Sequence, residues 1–172
     1  YSGQKCSATS RVYVDERVIE AFTDRLVEAT EELVIDQPRT EEAFVSPLID
    51  DDALDRYVEI CETARDVGKV RTGGAVAADG EGIGDNDRSA RLSNGRFVGP
   101  TVVTGVPHDH ELAREEHFVP FVTIHPVSGL DEAITKANDS TYGLCAGLFS
   151  EDEAEIDAWF ERIESGVCYV NR

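Results

Sequence analysis

Phe121–Asn138 reads FVTIHPVSGLDEAITKAN, and the change of rhythm inside it decides the fold class. Phe121 to His125 is a short apolar, β-branched run that reads as a buried strand. From Ser128–Asp131 onward the period becomes helical, with Leu130, Ile134 and Ala137 on one face. The same alternation continues downstream. Ala146 to Phe149 reads as a strand. Ser150 and Glu153 then form a capping-box pattern for a helix that buries Ile156, Phe160 and Ile163 and ends near Gly166. Val167 to Val170 is a final strand.

Upstream, Val12 to Val14 reads as a strand, and Asp15 is placed to cap a helix carrying Val18, Phe22, Leu26 and Leu33. The segment Ile35–Pro47, with Pro38 and Pro47, is a connecting loop. A second helix starts at about Asp51, with Leu54, Val58 and Cys61 on one side, and stops at Gly68. Lys69–Thr72 and Thr101–Thr104 are further strands. Gly73–Gly95, rich in Gly, Asp and Asn, reads as a surface excursion. Strands alternating with helices predict an α/β domain: an open, mostly parallel twisted sheet flanked by helices.

Charge excludes one class of partner. Against 16 Lys and Arg stand 35 Asp and Glu, a formal net charge of -19. Nucleic acid needs clustered cations, so it is not expected as a partner. Only Lys5, Lys69 and Lys136 are lysines. An acidic, Lys-poor surface on a well-patterned domain suggests a salt-loving source, where counterions screen self-repulsion. An ordinary acidic protein is the alternative, but acids spread along the chain favour the first reading. No apolar run reaches the roughly 18 residues of a membrane span, so no membrane partner is expected. The chain has no Met and stops directly after an apolar strand, which points to a piece of a longer protein.

The four cysteines, Cys6, Cys61, Cys145 and Cys168, fit neither a zinc pattern nor a CxxC redox motif. Nothing suggests a disulfide framework, which favours the cytoplasm. Cys61, Cys145 and Cys168 lie in apolar-patterned segments and read as buried thiols. Cys6 differs, lying in the polar run Ser2-Gly3-Gln4-Lys5-Cys6-Ser7. His108-Asp109-His110-Glu111 holds metal-ligand residue types, but neighbours on one loop seldom converge on an ion, so no metal is expected. Gly80-Glu81-Gly82-Ile83-Gly84 lacks the strand and helix of a phosphate loop. Asp79 to Asp87 does not match EF-hand spacing.

Four stretches, in order, carry a family resemblance. Gly3-Gln4-Lys5-Cys6-Ser7-Ala8 resembles the nucleophile segment of aldehyde dehydrogenases. Phe97-Val98-Gly99-Pro100-Thr101 resembles their Phe-x-x-Pro-Thr. Glu115-Glu116-His117-Phe118-Val119-Pro120 resembles their Glu-Glu-Ile-Phe-Gly-Pro, with Val119 where the family usually has Gly. Ala137-Asn138-Asp139-Ser140-Thr141-Tyr142-Gly143-Leu144 is similar to their Ala-Asn-x-x-x-Tyr-Gly-Leu. Gly3–Ala8, together with Tyr169-Val170-Asn171-Arg172, further resembles 1-pyrroline-5-carboxylate dehydrogenases, which oxidise glutamate semialdehyde to glutamate in proline breakdown.

The resemblance implies that residues 1–172 are the thiol-bearing catalytic domain, truncated at both ends, with the dinucleotide-binding domain absent. It implies Cys6 as nucleophile, Ser7 as a hydrogen bond to a substrate carboxylate, and Glu116 and Phe118 as cofactor residues for NAD or NADP. A thiol suits this chemistry because an aldehyde must be held covalently before hydride can leave its carbon. A helical turn after Cys6 would help hold the oxyanion. Asn138 and Gly143 are expected to set backbone geometry. The full-length protein is expected to be a homo-oligomer acting on a small-molecule aldehyde, and the piece alone to be inactive. The alternatives are another aldehyde, such as succinate semialdehyde, a non-catalytic acidic interaction module, or a cysteine hydrolase pairing Cys6 with His117 or His125.

Overall fold

The computed structural model describes residues 1–76, 92 and 95–172. The expected surface excursion at 73–95 therefore lies largely outside the described residues, as do the Gly80–Gly84 and Asp79–Asp87 motifs. The chain divides into two compact units, residues 1–12 with 20–125, and residues 13–19 with 126–172.

In chain order the elements are β1 (Arg11–Asp15), α1 (Ile19–Glu31), α2 (Asp51–Val67), β2 (Lys69–Thr72), β3 (Thr101–Thr104), α3 (Glu111–Arg114), β4 (Phe121–Val127), α4 (Leu130–Asn138), β5 (Cys145–Leu148), α5 (Glu153–Arg162) and β6 (Val167–Val170). Four strands form one sheet in the order β1-β4-β3-β2, and β5 pairs with β6. The architecture is α/β, as the alternation predicts. The pairs β3–β4 and β5–β6 are parallel. The pair β2–β3 is antiparallel, with an irregularity between Val70 and Thr72. The sheet is thus mixed, mostly parallel with one reversed edge strand, an arrangement common in large α/β sheets.

In the first unit the core gathers around α2. Asp50 caps this helix, its carboxylate accepting from Ala53 N at 2.9 Å. Asp51 and Asp52 follow in the first turn, where the helix dipole favours acids. Gly68 closes the other end, its N–H donating to Ala64 O at 3.0 Å. The buried face is Ala53, Tyr57, Ile60, Cys61 and Ala64; of the expected Leu54–Val58–Cys61 side, Cys61 is inside and Leu54 packs partly buried against this core. Val58 is 37 % exposed. Tyr57 can go inside because its hydroxyl donates to Gly99 O at 2.6 Å and lies 2.9 Å from Thr101 Oγ1. Burial pushes the Tyr57 phenol above its ordinary value. These residues pack with Val103, Leu112, Val119 and Phe121, and full burial of such a side chain stabilises by about 1.5–3 kcal/mol. Leu92 is also wholly buried, with Ile35, Val45 and Phe97. It lies inside the stretch that reads as surface.

Helix α1 starts later than expected, and Asp15 does not cap it. Asp15 ends β1, and its carboxylate takes Arg17 N at 2.9 Å and the Arg17 guanidinium at 2.8 Å. Those bonds hold its carboxyl down to about 2. The helix buries Thr23, whereas Phe22 is exposed and Leu33 falls beyond its end.

In the second unit Val14, Val127, Ile134 and Trp159 are buried. Helix α5 is capped by Asp152, which accepts from Ala154 N at 2.8 Å and Glu155 N at 3.3 Å. Ser150 instead bonds the Glu155 carboxylate, so the expected Ser150–Glu153 box is shifted. Trp159, not Phe160, turns inward; Phe160 is 55 % exposed.

Candidate active site

Residues 1–10 contain no helix or strand, so other bonds hold the Cys6 loop. Ser2 and Gly3 are both left-handed, with φ of 52° and 72°. Ser2 Oγ donates to Ser46 O and accepts from Ser46 N, each at 2.9 Å. The Gln4 amide repeats the device, donating to Pro47 O at 3.4 Å and accepting from Ile49 N at 2.8 Å. Ala8 N donates to Lys5 O at 2.9 Å, which closes a single turn around Cys6. No helix follows, so the expected N-terminal oxyanion device is not formed in this loop. The Cys6 thiol is free and exposed, and Ser7 is exposed beside it.

The second motif follows α3. Glu115 N donates to Glu111 O at 2.9 Å and ends that helix. Glu116 is exposed. Arg56, on α2, donates from Nε to His117 O at 2.7 Å. The His117 ring sits 3.2 Å from Leu112 O and edge-on to Phe121, centroids 5.6 Å apart. Burial lowers its pKa from the ordinary value. Phe118 has φ of 58°, a left-handed conformation that costs a side-chain-bearing residue about 1–2 kcal/mol. Val119 does not share it and is buried at 3 % exposure. The departure from the family glycine is therefore absorbed by the core, and the turn falls on Phe118.

Gly3 joins the two motifs. A Cβ on Gly3 would lie 2.1 Å from Val119 O and 2.8 Å from Pro120 N, so only glycine permits this approach. Gln4 and Phe118 line one cleft of about 500 Å³ with Tyr1, Ser46, Pro47 and Ile49. Cys6, Ser7 and Glu116 do not line it. The sequence carried the Gly-Gln-x-Cys pattern but not these tasks for Gly3 and Gln4, and Arg56 carried no signal at all.

The other motifs are structural. Thr101 Oγ1 donates to Gly99 O at 3.0 Å and accepts from Gly74 N at 2.9 Å. In the second unit Asn138 Nδ2 donates to Arg162 O at 2.8 Å and its Oδ1 accepts from Glu164 N at 2.9 Å. A Cβ on Gly143 would lie 2.9 Å from Glu164 O. Both residues set backbone geometry, as expected. His110 caps α3 through Nδ1, 3.2 Å from Leu112 N, and among the described residues no cluster of metal-ligand side chains forms. His125 is buried with its ring 2.9 Å from Thr123 Oγ1.

The family model described as "Aldehyde dehydrogenase family" matches residues 1–172. The chain belongs to the aldehyde dehydrogenase family. It is similar to betaine aldehyde dehydrogenase of Brucella anthropi, 34 % identical over 170 residues, covering 99 % of this chain and 33 % of the relative. It is likewise similar to 1-pyrroline-5-carboxylate dehydrogenase of a Geobacillus species, 33 % identical over 172 residues, covering 100 % and 31 %. Among solved structures, a betaine aldehyde dehydrogenase point mutant from Staphylococcus aureus in complex with NAD+ matches with a TM-score of 0.89 at 26 % identity, covering 99 % of this chain and 33 % of that one. The aldehyde dehydrogenase chain thus spans about a third of the length of the relatives it matches.

Proposed function

We propose that this chain is the thiol-bearing part of an NAD(P)-dependent aldehyde dehydrogenase that converts an aldehyde to a carboxylate, with Cys6 as nucleophile. The observation that supports this reading most directly is the Gly3–Val119 approach, which holds an exposed thiol loop against the turn bearing Phe118.

The thiolate of Cys6 adds to the aldehyde carbon; a C–S bond forms and the carbonyl π pair moves to oxygen. Bound NAD(P) would supply the hydride acceptor that oxidation of this carbon requires. The thioester left on Cys6 is attacked by water, which gives up its two protons to solvent; the C–S bond breaks, and the carboxylate departs while the thiolate is restored. The Glu116 carboxylate offers acceptor oxygens suited to ribose hydroxyls. Phe118 offers an exposed aromatic face for a planar heterocycle. These two side chains therefore fit a nicotinamide dinucleotide, with most of its binding supplied by the longer protein. Ser7, next to the nucleophile, is a donor for a substrate carboxylate.

Glutamate semialdehyde, the open form of 1-pyrroline-5-carboxylate, is the proposed substrate. The support is Gly3–Ala8 with Tyr169–Arg172, and a 33 % identical relative named for that substrate. The acidic, Lys-poor composition fits an enzyme working in concentrated salt in the cytoplasm. The test uses the full-length enzyme and a panel of glutamate, succinate and betaine semialdehydes or aldehydes. Cys6→Ser is expected to abolish NAD(P) reduction, and glutamate semialdehyde to give the highest kcat/KM. Undiminished turnover by Cys6→Ser would remove the catalytic role, and a preference for another aldehyde would remove the substrate. The 172 residues alone are expected to show no turnover.

A further inference from the structure

A left-handed phenylalanine needs a restraint on each side of it. On the far side Val119 O accepts from Phe121 N at 2.8 Å, Pro120 O accepts from Thr101 N at 2.8 Å, and Gly3 packs on the Val119 carbonyl. On the near side stands Arg56, half-buried on α2, a 17-residue helix with a hydrogen bond at each cap. Its Nε donates to His117 O at 2.7 Å. That carbonyl belongs to the peptide linking His117 to Phe118, so fixing it limits rotation about the bond that defines the φ of Phe118. A guanidinium is suited to this, being always charged and planar, and a charge-assisted bond is among the stronger restraints available.

We propose that Arg56 is a positioning residue for cofactor binding: by holding the His117 carbonyl it keeps Phe118 left-handed and its ring presented at the exposed face. The proposal rests on the reading of Phe118 as a packing surface for nicotinamide given above. Arg56 acts through the peptide and not on the reacting atoms.

The experiment titrates NADH into the full-length enzyme by fluorescence, beside thermal melting without NADH. Arg56→Met is expected to raise the Kd for NADH roughly tenfold. Arg56→Lys, which keeps a charged donor, is expected to stay within about threefold of the parent. A Phe118→Gly background removes both the ring and the strain, so adding Arg56→Met there should change affinity less than about twofold. If Arg56→Met does not fold, Arg56→Gln carries the same cycle. An unchanged Kd in Arg56→Met overturns the proposal. So does a tenfold loss that persists beside Phe118→Gly, because Arg56 would then act elsewhere. If Phe118→Gly itself leaves NADH affinity unchanged, the cofactor reading of Phe118 is what fails, and this proposal falls with it.

Discussion

The two motif-bearing regions solve different problems with the same chemical device. In residues 1–8 and 115–120, backbone is clamped by Ser2, Gln4, Arg56 and the close approach of Gly3. The side chains left over, Cys6, Ser7, Glu116 and Phe118, stay exposed. In residues 137–144 and 163–172 the motif side chains are themselves the clamps. Asn138 joins Arg162 O to Glu164 N. Asn171 bonds both the carbonyl and the N–H of Ser150, at 2.8 and 3.0 Å. A motif residue whose donors and acceptors are all taken by backbone is scaffold. One that neighbours such a clamp while remaining open is a candidate for chemistry.

The largest expected effect that would break this contrast comes from Gly3→Ala. It combines a left-handed φ with a backbone clash, so the loss of stability should be about 3 kcal/mol or more by urea unfolding. A loss below about 1 kcal/mol would mean that the two motifs are not locked together. Asn138→Ala should cost less, about 1 kcal/mol, because its bonds are near the surface. It should also leave the alkylation rate of Cys6 unchanged; an altered rate would blur the line between the two regions.

The smallest effect concerns pH. The Lys136 ammonium, with help from Ser128, holds the Glu132 carboxyl from its ordinary 4.5 down to about 2. The folded value is the lower one, so the stabilising contribution is complete above about 4.5 and is lost as pH falls toward 2. The Glu132 side chain lies at the surface, 38 % exposed, so the slope is shallow and screened by salt. Unfolding curves of Glu132→Gln, measured between pH 5 and 2.5, should be flatter than the parent's. An identical slope would show that the pairing has no thermodynamic weight.

Strands were the most legible elements in the sequence, because short β-branched runs admit few other readings. Each of the six strands among the described residues coincides with a run that reads as a strand, to within a residue or two. Helix existence was legible too, and the face of α4 runs through Ile134 as its spacing predicts; on α2 and α5 the buried line departs in part from the pattern. On α2 the spacing of large apolar residues points to Leu54 and Val58, whereas the buried line runs through Cys61, through small Ala53 and Ala64 and through Tyr57, whose hydroxyl finds a partner inside. On α5, Trp159 and Phe160 are adjacent, and periodicity could not choose between them. Leu92 is a lone apolar residue in a polar stretch, so no pattern marked its burial. At the site, residue types were legible through the motifs. The contacts of Gly3, Gln4 and Arg56 were not, because each joins segments far apart in the chain and leaves no periodic trace.

The four free thiols form a graded series. Cys6 is open to solvent, Cys145 and Cys168 are half-covered, and Cys61 is enclosed, with burial pushing its pKa up. Thiolate supply and access both slow a reagent at Cys61. A timed pulse of iodoacetamide followed by peptide mapping would therefore act as a built-in clock. The tag on Cys61 would record the opening of the α2 core, and those on Cys145 and Cys168 the fraying of the β5–β6 pair, without any added reporter.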